Sequence, residues 1–262
     1  MSPRGRALDR GAVEHYLDPT YYDHSYRRRV DDVAFYRAVA RAHGGPILEL
    51  GAGSGRVSVP LALDGHAVTG LDASTAMLRQ ARAHAKERGV PRGRLSLRRG
   101  DFRRFALDRS FKVVLAPFNA LLHLYEPSEL LGCFRAVGKH LSRGGRFVFD
   151  VRVPQLRELL RDPGHAYAVP PFRHPTLGCK VAYSERYHYD PTTQVQTVTF
   201  RFVPEDGTPP YETVLTHRML FSMEVKLLLE ATGFALESVH GDFHGGALTD
   251  DATEAVYTAR RR

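Results

Sequence analysis

Between Ile47 and Val151 the chain alternates short apolar runs with amphipathic stretches, and this alternation constrains the fold more than any other feature. Ile47-Leu48-Glu49-Leu50, His66–Leu71, Arg94–Arg98, Phe111–Ala116 and Arg146–Val151 read as strands. Val57–Leu63, Ser74–Arg88 and Pro127–Leu141 carry helical spacing. Ser74 is a fitting N-cap for its helix and Gly89 a fitting stop, and Pro127 starts the next helix ahead of Gly144-Gly145. Strands alternating with helices predict an α/β fold with a mostly parallel sheet, helices on both faces and right-handed crossovers.

The flanks have a different texture. Residues 1–12 read as a basic tail. The tyrosine- and arginine-rich stretch after it places Val30, Val33, Ala34, Ala38 and Ala42 at helical spacing, up to the stop at His43-Gly44-Gly45-Pro46. After Val153 prolines are dense and helical signals few. Lys180–Tyr189 and Gln194–Val203 then alternate across the turn Tyr189-Asp190-Pro191-Thr192-Thr193, which predicts an antiparallel hairpin, and Tyr211–Phe221 reads as a third strand. Met223–Ala231 reads as a helix, and Leu236–Phe243 and Ala255–Ala259 as closing strands. The expected organisation is a tail and helical lid over 1–43, a core over 44–153, an antiparallel β insert over 154–218 and the rest of the core over 219–262. The insert either roofs an acceptor pocket or pairs edge to edge in a homodimer; a monomer fits the sequence as well.

Composition narrows the function. The 262 residues are 43% hydrophobic and 25% charged, as in an ordinary globular chain. No apolar run reaches the roughly 18 residues of a membrane helix; the longest, Phe111–Tyr125, is broken by Pro117 and Asn119. The start, Met-Ser-Pro-Arg-Gly-Arg, has no apolar core behind it and does not read as a secretory signal. Two distant cysteines, Cys133 and Cys179, suit a reducing cytoplasm. The formal charge is +8, but only Lys86, Lys112, Lys139, Lys180 and Lys226 are lysines, and the arginines read as spread along the chain, so a nucleic-acid partner is not expected.

The chemistry concentrates at Glu49-Leu50-Gly51-Ala52-Gly53-Ser54-Gly55-Arg56, which follows the first strand and opens a helix. Glycines there allow a tight turn and a close backbone approach to a ligand. Asp72, at the tip of the next strand, is placed to accept from ribose hydroxyls. A dinucleotide turn requires its third glycine one residue later, where this chain has Arg56. Glu49 would repel a diphosphate and suits a cationic nucleoside.

The run "ILELGAGSGRVSVPLA…VTGLDAS…ML" resembles the class I S-adenosylmethionine-dependent methyltransferases. Gly100-Asp101-Phe102 and Leu141-Ser142-Arg143-Gly144-Gly145-Arg146-Phe147 agree with it. The resemblance is strong over about 44–152 and weaker over 221–260. It implies a Rossmann-like, doubly wound, seven-stranded sheet with S-adenosylmethionine as cofactor and S-adenosylhomocysteine as product. It also implies that Glu49, Gly51, Ala52, Gly53 and Gly55 line the methionine portion and that Asp72 and Ala73 hold the ribose. Asp101, Phe102 and Met77 would then lie at the adenine, with Pro117 beside the reacting end.

Methyl transfer needs the nucleophile held in line, and a base only where the nucleophile arrives protonated. Ala116-Pro117-Phe118-Asn119 lacks the pattern of nucleic-acid amino-methyltransferases and looks like small-molecule enzymes, including those that methylate amino sugars. His123 is the candidate for the chemistry and Asn119 a candidate contact. By the same resemblance Tyr22, with Tyr16 and Tyr21 behind it, covers the cofactor, and Arg28 or Arg29 pairs with its carboxylate. Asp150 either touches substrate or caps its strand. No histidine, His240 and His244 included, shows metal-ligand spacing. The expected activity is methyl transfer to N or O of a small molecule. The alternatives are an RNA or protein methyltransferase and a catalytically silent S-adenosylmethionine-binding protein.

Overall fold

The computed structural model describes Leu8 and residues 10–262; residues 1–7 and 9, most of the expected basic tail, lie outside the described residues. A 3-10 turn, Glu14–Tyr16, precedes α1 (Pro19–Tyr26) and α2 (Asp31–His43). Then follow β1 (Ile47–Leu50), α3 (Ser58–Leu63), β2 (Val68–Asp72), α4 (Thr75–Glu87), β3 (Leu95–Arg99) and β4 (Phe111–Ala116). A second 3-10 turn, Ala120–His123, leads to α5 (Pro127–His140) and β5 (Leu141–Arg152). After a helical turn at Leu156–Leu159 come β6 (Tyr167–Arg173), β7 (Lys180–Asp190), β8 (Val195–Pro204) and β9 (Tyr211–Arg218). The chain closes with α6 (Ser222–Ala231), β10 (Phe234–His240) and β11 (Glu254–Arg261).

These elements form two compact units. One contains residues 29–153 and 220–262; the other contains residues 154–219 and the described residues up to 28. The division at residue 28 falls inside the stretch read as tail and lid, so α2 belongs with the large sheet and α1 with the insert.

The larger unit is a seven-stranded sheet in the order β10-β11-β5-β4-β1-β2-β3. β1 to β5 pair in parallel, and β11 runs antiparallel to both neighbours. Side-chain alternation sends residues to both faces. Leu48 and Leu50 join Phe134, Phe147, Phe149 and Tyr257 in one layer. Ile47 joins Tyr36, Leu61, Val113 and Val148 in the other. Both faces are therefore dry, which is why the strand sequences read as continuous apolar runs. The helix ends follow the sequence signals. Ser74 Oγ accepts from Met77 N–H at 3.2 Å, and Glu129 Oε2 accepts from Glu126 N–H at 3.1 Å at the start of α5. β5 begins five residues before the expected Arg146, and β9 ends at Arg218 rather than Phe221.

The second unit is an antiparallel sheet, β6-β7-β8-β9. Its core is Val181, Val198, Phe200, Phe202 and Leu215. Tyr21 of α1 stacks on His174, with ring centroids 4.9 Å apart, and meets Phe202 edge-on. The hairpin over 180–203 is as expected. The unexpected strand is β6, which holds Pro170-Pro171 at a register shift between Val169 and Phe172. Proline is tolerated there because β6 is an edge strand. On the other edge Glu14 accepts from Val214 N–H at 3.0 Å. Glu14 thus occupies one main-chain donor of the β9 edge.

Candidate active site

The carboxyl ends of β1 and β4 lie side by side, with β2 beyond β1 and β5 beyond β4. That is the point where strand order reverses and where open α/β sheets bind ligands. The chain leaves β1 through Gly51, Gly53 and Gly55, at φ 71°, 54° and 82°. Side chains are strained in that region, so glycine is required. Gly51 and Ala52 N–H groups both donate to Leu71 O, at 2.8 and 3.0 Å, tying the turn to β2. A Cβ at Gly55 would lie 2.9 Å from Val59 Cγ2 and 3.1 Å from Ala81 Cβ, so this glycine seats the turn against α3 and α4. A Cβ at Gly51 would lie 3.0 Å from Ala120 Cβ, so the turn abuts the segment after β4.

Two carboxyls flank the turn. Asp72 accepts from Gly53 and Ser74 N–H groups, each at 2.7 Å. Burial outweighs those bonds and raises its pKa. Glu49 is 2% exposed on the α2–α3 side of β1, and Ser58 Oγ donates to it. Burial pushes its pKa up to about 8; Ser58 and Arg56 oppose the shift and Asp72 adds to it. A cation bound beside these carboxyls would favour their ionised form, so its binding would release protons. Ala73 is exposed beside Asp72, while Met77 is buried beneath Gly53.

The tip of β4 is held from below. Phe118 and Asn119 both adopt left-handed backbone, at φ 53° and 63°. Asp150 Oδ1 accepts from Phe118 N–H at 2.8 Å and from Tyr36 O–H at 2.5 Å. Asn119 Oδ1 accepts from Arg152 N–H at 2.6 Å. Asp150 is 1% exposed, and burial pushes its pKa up to about 6. It anchors the β4 tip to α2 from inside the fold. The amide oxygen of Asn119, a residue read as a contact, thus helps fix the tip.

Arg29, expected at the cofactor carboxylate, is ion-paired within the chain. Its guanidinium lies 3.0 Å from Asp32, 2.5 Å from Glu254 and 3.9 Å from Asp150, and sits over the Phe118 ring at 4.6 Å. Three carboxylates of the chain itself neutralise it. Arg56, the residue that spoils the dinucleotide pattern, forks onto Asp32 at 2.8 and 2.6 Å. Together these bonds fasten the start of α2 to the glycine turn.

Asp101 is ion-paired with Arg103 at 2.8 Å, and Arg103 reaches Glu129 at 3.2 Å. Phe102 comes within 3.9 Å of the Cβ position of Gly51, so it borders the turn as expected. Pro117 is buried, and His123 is half-buried at the end of its 3-10 turn. Tyr22 lies in the other unit, 7% exposed, packed against Tyr26 and Tyr16 with ring centroids 4.8 and 5.7 Å away. Sequence reasoning missed Ser58, Tyr36 and Glu254. Only the acidic pair Asp31-Asp32 beside the arginine run hinted at a charge network.

An open, mostly parallel sheet with a glycine turn at its switch point and acids on its first two strands defines a nucleoside-binding α/β unit. Residues 47–145 match the family described as methyltransferase domain. The cypemycin N-terminal methyltransferase of a Streptomyces species is 32% identical over 126 residues, covering 48% of this chain and 49% of that protein. The chain thus spans about half the length of this curated relative. The structure of the CcbJ methyltransferase from Streptomyces caelestis superposes with a TM-score of 0.75 at 26% identity, covering 88% of this chain and 89% of that one. An amino pentose methyltransferase from Micromonospora echinaspora, solved with S-adenosylmethionine bound, shares the fold at a TM-score of 0.70 and 23% identity, covering 92% and 96%. Residues 47–145 thus match a methyltransferase domain, and the chain shares its overall fold with solved methyltransferases.

Proposed function

We propose that this protein transfers a methyl group from S-adenosylmethionine to a nitrogen or oxygen atom of a small molecule. The observation that carries the reading is the pair of carboxyls, buried Glu49 and half-buried Asp72, on either side of a turn held in left-handed backbone by three glycines. They fit a nucleoside with a net positive charge and disfavour a diphosphate. Bound there, S-adenosylmethionine supplies a methyl group on a sulfonium, a good leaving group.

The chain's own residues then bind and orient. Asp72 accepts from the ribose hydroxyls with the lone pairs that Gly53 and Ser74 leave over. Gly51, Ala52, Gly53 and Gly55 give the methionine portion room against backbone, and Glu49 offsets its charge. Ala73, Met77, Asp101 and Phe102 border the adenine. The fixed β4 tip, with Pro117 and Phe118, holds the acceptor in line, and His123 takes the proton of an acceptor that arrives protonated. A small acceptor is supported by the names of similar proteins, one acting on an amino pentose. Two free cysteines support a reducing, cytoplasmic setting.

The test is incubation with methyl-labelled S-adenosylmethionine and pooled small amines and phenols, read by mass spectrometry. Label should enter a small acceptor. His123→Ala should lower turnover with cofactor affinity unchanged. Label transferred only to RNA or protein would refute the acceptor class, and full activity in His123→Ala would remove it from the chemistry.

A further inference from the structure

The positive charge of this protein is not spread along the chain, as the sequence first suggests. Ten of the 37 lysine and arginine residues and only two of the 29 acids lie in residues 79–104. That stretch carries the whole formal +8, and the other residues balance at 27 of each sign. It folds as α4, β3 and the loop beyond, on the outer border of the seven-stranded sheet. Arg92, Arg94, Arg98 and Arg99 are exposed. The ion pairs among the described residues engage Arg103 of this stretch but none of those four.

Among the described residues β3 is also an open edge, paired only with β2. Val68 N–H donates to Arg94 O at 2.8 Å, and Gly100 N–H donates to Asp72 O at 3.0 Å. In a parallel ladder alternate residues face the partner, so the main-chain groups of Leu95, Leu97 and Arg99 turn outward. One of them shows what such an edge accepts: Leu97 O is bonded by Arg82 Nη2 at 3.1 Å.

We propose that the β3 edge receives an extended acidic segment of a partner protein, added to the sheet as a further strand. Its main chain pairs with the outward groups of Leu95, Leu97 and Arg99, displacing Arg82 from the Leu97 carbonyl. Its carboxylates meet Arg92, Arg94, Arg98, Arg99 and the released Arg82, whose planar forks suit them. Nucleic acid fits less well. It has no strand to pair with the edge, and the stretch offers no exposed aromatic ring for stacking, since its one Phe, Phe102, lies against the glycine turn. Arginines on an edge also deter aggregation, a purpose that needs no partner; the experiment separates the two.

The probe is a fluorescent peptide of about ten residues alternating glutamate and valine, followed by anisotropy. Controls are the lysine–valine peptide, the acidic peptide N-methylated at every second residue in either phase, and a DNA duplex of similar charge. The acidic peptide should bind saturably. Arg94→Glu with Arg98→Glu should weaken it by about tenfold or more, with S-adenosylmethionine affinity unchanged as proof of folding. At least one methylation phase should weaken it as much, because that phase removes strand pairing and leaves every charge. Absence of binding would overturn the proposal. So would equal affinity for both methylated peptides, or a duplex bound as tightly, since charge alone would then account for the surface.

Discussion

Glu49 shows how a residue's environment sets its task. On sequence alone it is one acid before a glycine turn; in the fold it is a buried carboxyl that accepts from a hydroxyl donor. Its pKa, about 8, lies above the ordinary carboxylate value, so the folded chain keeps a proton that the unfolded chain releases. Stability therefore falls as pH rises from the ordinary carboxylate range to about 8, then levels off. Asp150 adds a similar decline that is complete near pH 6. Between pH 6.5 and 8.5, Glu49→Gln should flatten the loss of melting temperature seen in the parent; equal slopes would show that Glu49 ionises normally. A bound cation should also expel the proton. The enthalpy of S-adenosylmethionine binding at pH 7 should then depend on the buffer's ionisation enthalpy, and that dependence should shrink in Glu49→Gln. The acids at the turn were legible because a fixed spacing places them there. The Arg29 cluster was not, because it joins residues from α2, β5 and β11 that only tertiary packing brings together.

At the scale of elements, the parallel core was legible because helix and strand periods differ and glycine and proline punctuate them. Ser74, Gly89 and Pro127 all stand at ends of helices or just beyond them. β6 was hidden because two prolines mask a strand whose register shift accommodates them. The β4 tip was only half legible. Asn119 favours left-handed backbone, but Phe118 does not, and its conformation depends on Asp150 and Tyr36. Tyr36→Phe removes one donor to a buried carboxylate and keeps the ring. It should cost about 1–3 kcal/mol in urea unfolding. An unchanged midpoint would mean that the O–H contributes nothing to holding the tip. Core packing is a separate matter. Phe149, fully buried and stacked on Tyr257 at 5.1 Å, should cost about 3–5 kcal/mol as Phe149→Ala.

Across the whole molecule, the two units should answer pH in opposite directions. The smaller unit buries His15, 6% exposed, beside Phe200 of β8 and hydrogen-bonded to Tyr26 O–H at 2.8 Å. Burial pulls its pKa down to about 4, so its contribution is intact above the ordinary histidine range and is lost as pH falls from there to about 4. The larger unit carries Glu49 and Asp150, whose contributions fade as pH rises. Hydrogen exchange corrected for intrinsic rates should show β8 opening more at pH 5 than at pH 7, and β1 more at pH 8.5. Uniform behaviour of both strands would contradict this division.

The central claim is that the turn between β1 and α3 binds a cationic nucleoside through Asp72 and Glu49. The most direct measurement is calorimetric titration of the stripped protein with S-adenosylmethionine, S-adenosylhomocysteine and NAD, repeated on Asp72→Ala. S-adenosylmethionine and its product should bind, NAD should not, and Asp72→Ala should weaken S-adenosylmethionine by about 1.5–3 kcal/mol, the scale of a lost hydrogen bond to a charged group. Binding of NAD, or affinity unchanged in Asp72→Ala, would contradict it.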